Sequence, residues 1–221
     1  MAVNEQTSPK GEPSAQDHGT TEGRDVLAHQ LSALARELEA EDDPTAMLNH
    51  LTHAAVDLIP GAEDASISVV KGRSEVSSRH PTSDLPNRVD ELQTRLREGP
   101  CLSAAFEEQT VRVIDMSTER RWPAFAPAAV DLGAMSMLSF QLYVEGDNLG
   151  ALNLYGRRVG AFDDDSEHVG LLFASHAAVA IADAEKVRHL QMSVASRDIL
   201  GRPKGFSWSA SRSRAIRRSC C

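Results

Sequence analysis

The chain has 221 residues, of which 41% are hydrophobic and 25% are charged, a composition typical of one globular domain with short additional segments. It contains no apolar run of the roughly 18 residues needed to span a membrane, and residues 1–23 contain no hydrophobic stretch of the kind found in secretory signals. We therefore expect a cytoplasmic protein without a membrane partner.

Charge is distributed unevenly along the chain. Residues 199–221 contain six basic and no acidic residues, whereas the rest of the chain contains 17 basic and 32 acidic residues. An acidic body of this kind repels the phosphate backbone of nucleic acids. Any contact with a nucleic acid therefore has to come from the C-terminal residues or from a partner.

The first part of the chain is predicted to be a disordered segment followed by two helices. Residues 1–23 are rich in Ser, Thr, Gly, Glu and Pro, which predicts disorder. Leucines recur at three- and four-residue steps from Leu27 to Leu38 and predict a helix. Asp43-Pro44 is a typical helix start, and the second helix is predicted to end at Pro60-Gly61.

Strands and helices are predicted to alternate through the rest of the chain. The expected elements are a hairpin over 65–83, a helix over 85–97, a short helix after 98, a strand over 110–116, a helix over 122–133 and two strands over 136–156. A long helix then begins near Asp164, where Glu167 has capping-box spacing, and runs into the 190s. This order predicts an α/β fold of the α+β type, with an antiparallel sheet of five to six strands, helices mainly on one face and a long C-terminal exit helix.

Five short segments resemble a known family. They are residues 98–101, 121–123, 136–140, 149–155 and 173–178. Their order and spacing, within a likeness that covers about residues 26–205, resemble the GAF domains of bacterial GAF–ANTAR regulators. The resemblance implies a GAF-like fold that binds a small molecule between its sheet and its helices, or that serves only for dimerisation.

Residues 191–205 resemble the first helix of an ANTAR domain, which in that family binds RNA hairpins and prevents transcription termination. Pro203 stands where the family has a helix former, and the likeness stops after Gly205. Codons that encode the residues after Gly205 can, when read one base earlier, encode the amino acids that an ANTAR domain has at these positions. This gives the hypothesis of a one-base frameshift after Gly205.

Four segments are therefore predicted along the chain. They are a disordered tail (1–23), a GAF domain (24–184), an exit helix with a remnant of an ANTAR domain (185–205), and an unstructured tail (206–221). Lys204 belongs to the remnant of the RNA-binding surface, so RNA is expected to bind weakly if at all.

The resemblance leaves three classes of function open. The first is a sensing and dimerisation module whose RNA-binding output is largely missing. The second is an active antiterminator, if the reading frame is restored in the cell. The third is a GAF-type methionine sulfoxide reductase. Reductase chemistry needs a second, resolving cysteine, and Cys101 is the only cysteine outside the last two residues, so no enzyme activity is expected.

Five residues are candidates for contact with an unidentified ligand: Cys101, Trp122, Phe125, Asn153 and Tyr155. Packing in the core is the alternative for Cys101, Trp122 and Phe125. Asn153 lies between two leucines in a strand, and a buried amide there must find partners in the backbone or in a ligand. Leu154 replaces the lysine of the nucleotide-binding GAF signature, so a nucleotide is not expected, and neither a metal nor a cofactor is predicted.

The exit helix carries a candidate dimer face. Ile181, Ala184, Val187, Leu190 and Val194 follow each other at three- and four-residue steps. This spacing predicts a parallel homodimer through the helix, and packing of the same residues against the protein's own sheet is the alternative.

Overall fold

The computed structural model describes residues 18–41, 43–71, 75–144 and 147–200. The helices are α1 (His18–Glu39), α2 (Pro44–Leu58), α3 (Asp84–Leu96), α4 (Pro100–Phe106), α5 (Phe125–Leu132) and α6 (Asp164–Leu200). The strands are β1 (Asp64–Lys71), β2 (Glu75–Arg79), β3 (Thr110–Val113), β4 (Ser136–Val144) and β5 (Asp147–Gly156). The predicted turn at 72–73 lies outside the described residues, as do residues 145–146 of the second predicted turn.

The five strands form one antiparallel sheet in the order β2-β1-β5-β4-β3. The central strand β5 pairs with β1 through Ser66↔Asn153 and with β4 through Ser139↔Asn153. This arrangement confirms the predicted antiparallel sheet of five to six strands with flanking helices. It also places Asn153 at the middle of the sheet, with a serine on each side.

Helices cover both faces of the sheet, which differs from the expectation that they gather mainly on one face. Successive side chains of a strand point to opposite faces, so Leu152 and Leu154 face one side while Asn153 and Tyr155 face the other. The first side packs against α1, α2 and α6 around Phe173. The second packs against α3, α4 and α5. Both faces of β5 are buried, and each has its own hydrophobic core.

Several element boundaries differ from the sequence predictions. α1 already begins at His18, within the segment 1–23 that was predicted to be disordered. β3 ends at Val113, because Asp115 caps a short 3₁₀ turn by accepting a hydrogen bond from the Ser117 amide at 2.9 Å. β2 ends at Arg79, and the next residue, His80, has a left-handed backbone conformation with φ of 49°.

The cap of α6 lies one residue before the predicted one. The Asp163 side chain accepts a hydrogen bond from the Ser166 amide at 2.9 Å, and the Ser166 hydroxyl accepts one from the Asp163 amide at 3.1 Å. Asp164 and Glu167 were predicted to form this capping box. Their carboxylates instead lie 2.9 Å and 3.3 Å from the guanidinium of Arg112 on the edge strand β3.

One glycine of the segment 149–155 is required by the close approach of two strands. Gly150 has a φ of +130°, and a Cβ atom there would lie 2.0 Å from the backbone oxygen of Ser68 on β1. Any other residue would push β1 away from β5. This position thus has a structural role in the pairing of the two central strands.

The chain divides into two compact units, Met1–Ala184 and Glu185–Cys221. The sheet and the helices from α1 to α5 belong to the first unit, and the second contains the end of α6. Within the described ranges, we find no helix with the combination of length and apolar character that a membrane crossing needs.

Candidate functional site

A group of buried polar side chains lies between the sheet and α3. We call it the Asp90 cluster, and its members are Ser66, Ser68, Asp90, Gln93, Asn153 and Tyr155. All six are almost completely shielded from solvent, with Asp90 only 1% exposed. Burial of polar groups costs free energy unless each finds a partner, so such a concentration needs an explanation.

Hydrogen bonds connect the Asp90 cluster around one carboxylate. The Ser68 hydroxyl donates to Asp90 Oδ2 at 2.6 Å and accepts from the Asn153 amide at 2.9 Å. The Gln93 amide donates to Asp90 Oδ1 at 3.1 Å. The Tyr155 hydroxyl lies 3.4 Å from the same oxygen. The carboxylate therefore joins α3 to the two central strands.

Regular local structure places these side chains together. On β1, Ser66 and Ser68 alternate with the core residues Ala65 and Ile67, so both serines face α3. On α3, Asp90 and Gln93 are three residues apart and therefore share a helix face. The helix points this face at the polar side of the sheet.

The described hydrogen-bond donors to the Asp90 carboxylate are all neutral. Among the described residues, no basic side chain comes within ion-pairing distance of its carboxylate. Burial raises the pKa of Asp90 to about 6, although hydrogen bonds such as that from Ser68 oppose the rise. At neutral pH the protein thus holds a mostly ionised, uncompensated carboxylate in its interior.

Cys101 lies beside the Asp90 cluster and is fully buried at the start of α4. Burial raises the pKa of its thiol far above the ordinary value, and the negative charge of Asp90 raises it further. Its backbone amide donates to Gln93 Oε1 at 3.0 Å. Gly99 allows this contact, because its φ is +139° and a Cβ atom there would lie 2.3 Å from Gln93 Oε1.

Trp122 and Phe125 belong to the hydrophobic core on this side of the sheet. Their rings meet edge to face, with centroids 6.4 Å apart. The Arg121 guanidinium stacks over the Trp122 ring at 4.5 Å, and the Glu98 carboxylate accepts hydrogen bonds from the Ala124 and Phe125 amides. Glu98 therefore holds the start of α5 in place.

Three buried polar atoms have no hydrogen-bond partner among the described residues. They are Oγ of Ser78, Oγ of Ser139 and Oδ1 of Asn153. Ser139 and Asn153 are paired on neighbouring strands, on the same face of the sheet as the Asp90 cluster. This face has hydrogen-bonding capacity that the described residues leave unused.

A cleft of about 430 Å³ opens from the surface onto the Asp90 cluster, between β2 and α3. Its lining residues are Ser77, Ser78, Asn87, Asp90, Glu91, Thr94 and Arg95. A second cleft, of about 380 Å³, lies beside Arg112 and the acidic start of α6. Only the first reaches a member of the Asp90 cluster.

The predicted site residues thus fall into different places. Asn153 and Tyr155 belong to the Asp90 cluster, and Cys101 adjoins it, whereas Trp122 and Phe125 fill the core. None of the five lines the first cleft. In the part of the chain that the structure describes, no group of three or more His, Cys, Asp or Glu is arranged to hold a metal ion.

The candidate dimer residues are distributed over both units. Ile181 and Ala184 pack into the protein's own hydrophobic core in the first unit, which matches the alternative weighed for them in the sequence. Val187 is 53% exposed. Leu190 and Val194 lie within α6, and Lys204 lies outside the described residues.

A family model described as GAF domain matches residues 41–182, more than half of the chain. The chain belongs to the GAF domain family. No curated protein matches it.

Several solved structures share the fold of this GAF domain. The GAF domain of a phosphoenolpyruvate-protein phosphotransferase from Coxiella burnetii is 16% identical, with a TM-score of 0.57 over 74% of this chain and 96% of that one. A free methionine-R-sulfoxide reductase from Neisseria meningitidis is 15% identical, with a TM-score of 0.56 over 79% and 96% of the two chains. The chromophore-binding domain of a bacteriophytochrome from R. palustris is 12% identical, with a TM-score of 0.53 over 80% and 66%. At these identities, the similarity shows the fold alone.

Sequence reasoning missed four members of the Asp90 cluster in this GAF domain: Ser66, Ser68, Asp90 and Gln93. One signal was available for the serines, since they alternate with apolar residues on a strand whose neighbour carries Asn153. On α3, Asp90 and Gln93 flank the apolar residues Val89 and Leu92, so spacing alone leaves them at the border of the apolar face. Only the packing of α3 on the sheet shows that the two polar residues are buried.

We expect Asp90→Asn to remove one pH dependence from the folding stability of the GAF domain. Since burial raises the pKa of Asp90 from 3.8 to about 6, the folded chain binds this proton more tightly than the unfolded chain. The contribution of Asp90 to stability is therefore greatest below about pH 4, falls until about pH 6 and is constant above. Relative to Asp90→Asn, the unfolding free energy of the wild type should decrease by roughly 3 kcal/mol over this range.

Urea unfolding across this pH range measures the difference between the two proteins. Asp131→Asn, which replaces an exposed aspartate on α5, is the matched control and should keep the wild-type profile. A constant difference between wild type and Asp90→Asn at all pH values would contradict the assignment of this proton to Asp90.

Proposed function

We propose that this GAF domain senses a small molecule, which enters the cleft between β2 and α3 and contacts the Asp90 cluster. The single observation that carries the proposal is an ionisable carboxylate at the floor of an open cleft of about 430 Å³, with no cationic partner among the described residues. Buried charges and perturbed pKa values concentrate at functional sites. The cleft volume is within the range of small-molecule pockets.

The proposed signal has a direct route from the cleft into the rest of the fold. Asp90 bonds to Ser68, and Ser68 bonds to Asn153 on the central strand β5. A ligand that contacts Asp90 therefore changes a hydrogen-bond chain that crosses two strands. Such a contact biases the domain only if the two states differ in their affinity for the ligand.

We further propose that the protein is a regulator of the ANTAR type, in which the GAF domain passes its signal to an RNA-binding segment. The support is the resemblance of residues 191–205 to the first ANTAR helix, of which residues 191–200 are helical in α6. Residues 206–221 do not resemble an ANTAR domain, which fits a frameshift after Gly205. By this proposal, residues 206–221 attract RNA only weakly and without specificity, through their basic charge. An active antiterminator with a restored frame is the alternative.

The exit helix is also the proposed dimer contact. Val187 exposes an apolar side chain on α6, and Leu190 and Val194 follow it at coiled-coil spacing. Ile181 and Ala184 are not part of this contact, because the protein's own core already covers them.

A methionine sulfoxide reductase is the second candidate, favoured by the fold shared with the reductase from Neisseria meningitidis. The state of Cys101 argues against it, because the thiolate is the nucleophile in such chemistry and burial strongly disfavours this form. We propose that the protein is not an enzyme. A thiol-coupled assay with free methionine sulfoxide should therefore give the same rate for the wild type and Cys101→Ser, and a rate that Cys101→Ser abolishes would contradict the proposal.

Blocking the cleft is expected to prevent ligand binding. Asn87 lines the cleft, whereas the neighbouring Arg88 is exposed and does not. In native mass spectrometry of full chains purified from the host cell, the wild type and Arg88→Trp should retain a bound small molecule. Asn87→Trp should lose it, since the indole fills the cleft. A wild type without any bound molecule, or an equal adduct in Asn87→Trp, would count against the sensor function.

Light scattering of the full chain tests the dimer and the output together. The protein alone should have the mass of a dimer, and Val187→Glu with Leu190→Glu should yield monomers because two charges enter the apolar contact. Ser196→Glu, which is off the predicted spacing, is the control. In size-exclusion chromatography at moderate salt, an RNA with two hairpins should not co-elute with the protein. The intact mass of the sample checks that the purified protein contains residues 206–221. A stable RNA complex would favour the active antiterminator instead.

A further inference from the structure

We propose that the molecule bound by this GAF domain carries a protonated amine, and that its ammonium group pairs with the Asp90 carboxylate at the floor of the cleft. This inference rests on the proposed function of the cleft and adds the chemical class of its ligand.

The first support is a contrast between two buried aspartates on the same side of the sheet. Asp64 on β1 is 4% exposed, and the Arg157 guanidinium donates to its carboxylate at 2.7 Å. Asp90 is at least as buried, yet no described basic side chain lies within ion-pairing distance of it. Among the described residues, Asp64 thus has a cationic partner and Asp90 has none.

The hydrogen bonds of Asp90 do not replace a cation. Its described donors are the Ser68 hydroxyl, the Gln93 amide and the Tyr155 hydroxyl, and all three are neutral. These neutral donors hydrogen-bond the carboxylate but leave its full negative charge without a cation among the described residues. A charged donor supplies that cation, and bonds between ionised groups are about twice as strong as neutral ones.

The titratable and charged groups around Asp90 favour a cation over an anion at the floor of the cleft. Burial raises the pKa of both Tyr155 on β5 and Cys101 on α4, so both are neutral while Asp90 is ionised. On α3 itself, Glu91 and Arg95 line the cleft and carry opposite charges, so they nearly cancel. The carboxylate of Asp90 is therefore the dominant charge that a small molecule meets when it reaches the floor of the cleft.

The opposite wall of the cleft suits a hydrogen-bonding ligand. β2 contributes Ser77 and Ser78, and the buried Ser78 hydroxyl makes no direct hydrogen bond among the described residues but lies near enough to Asp90 to lower the pKa of that carboxyl. An amine that occupies the cleft has up to three N–H donors, so one group can contact Asp90 and a serine oxygen together.

The pairing makes binding depend on pH in a defined direction. An ammonium group attracts the ionised form of Asp90, whose pKa is about 6 in the free protein. The affinity for the amine should be highest above this pKa and should fall as the pH drops through it. About one unit below, roughly a tenth of the carboxylate remains ionised, so the apparent Kd should rise about tenfold.

Three probes of equal length separate the ligand classes: butane-1,4-diamine, butane-1,4-diol and butanedioate. Each is titrated into the full chain at about pH 7.5 while the amide resonances of Ser77, Asn87 and Glu91 are followed by NMR. We expect the diamine alone to shift these resonances. The apparent Kd of the diamine should rise about tenfold near pH 5 and at least tenfold in Asp90→Asn. Asp131→Asn, an exposed charge change outside the cleft, should bind as the wild type does.

Several results would overturn the inference. If the diol or butanedioate shifts the cleft resonances as much as the diamine, the cleft binds a ligand of another class, and the sensor function stands. If the diamine binds equally at both pH values, Asp90 is not its partner, a conclusion that needs no variant to fold. If none of the probes shifts the resonances, the ammonium proposal is wrong. The native mass spectrometry of Asn87→Trp then decides separately whether the cleft binds anything.

Discussion

Burial of the Asp90 carboxylate, which no described cation pairs with, is the constraint around which this side of the domain is built. Asp90 has to be solvated by the protein itself, and the required donors come from three different elements: Ser68 on β1, Gln93 on α3 and Tyr155 on β5. Removing water from a charge costs several kcal/mol even after relaxation, so these donors limit a penalty rather than add a surplus of stability. An arrangement that costs stability and opens to a cleft is typical of a site kept for function.

The two faces of the sheet differ in composition because of this constraint. One face packs leucines and phenylalanines against α1, α2 and α6 in an ordinary hydrophobic core. The other face combines a second core around Phe125 with the polar Asp90 cluster. The central strand β5 belongs to both, because its alternate residues point to opposite sides. A change at Asp90 therefore acts on a strand that also supports the opposite core.

Many residues in the segments that resemble the GAF family have structural roles. Glu98 caps the start of α5, Gly99 leaves room for Gln93, and Gly150 lets β1 approach β5. Cys101 fills a small buried space beside Ala151 and Leu102. Recognition of the family therefore rested on residues that hold the fold together, whereas the candidate ligand contact lies on Asp90, which belongs to none of those segments.

Local regularities in the sequence determined the elements, their order and the antiparallel sheet. Leucine spacing in α1, the Asp43-Pro44 start of α2 and the alternation in β1 are all written in neighbouring residues. The tertiary structure alone decided that helices cover both faces, that Asp163 rather than Asp164 caps α6, and that Asp90 is buried. Each of these depends on contacts between residues far apart in the chain, such as Arg112 with Asp164 or Asp90 with Ser68. A periodic pattern shows which side of a helix is apolar. Whether a polar residue at the border of that side contacts water or a buried strand depends on the element that packs against the helix.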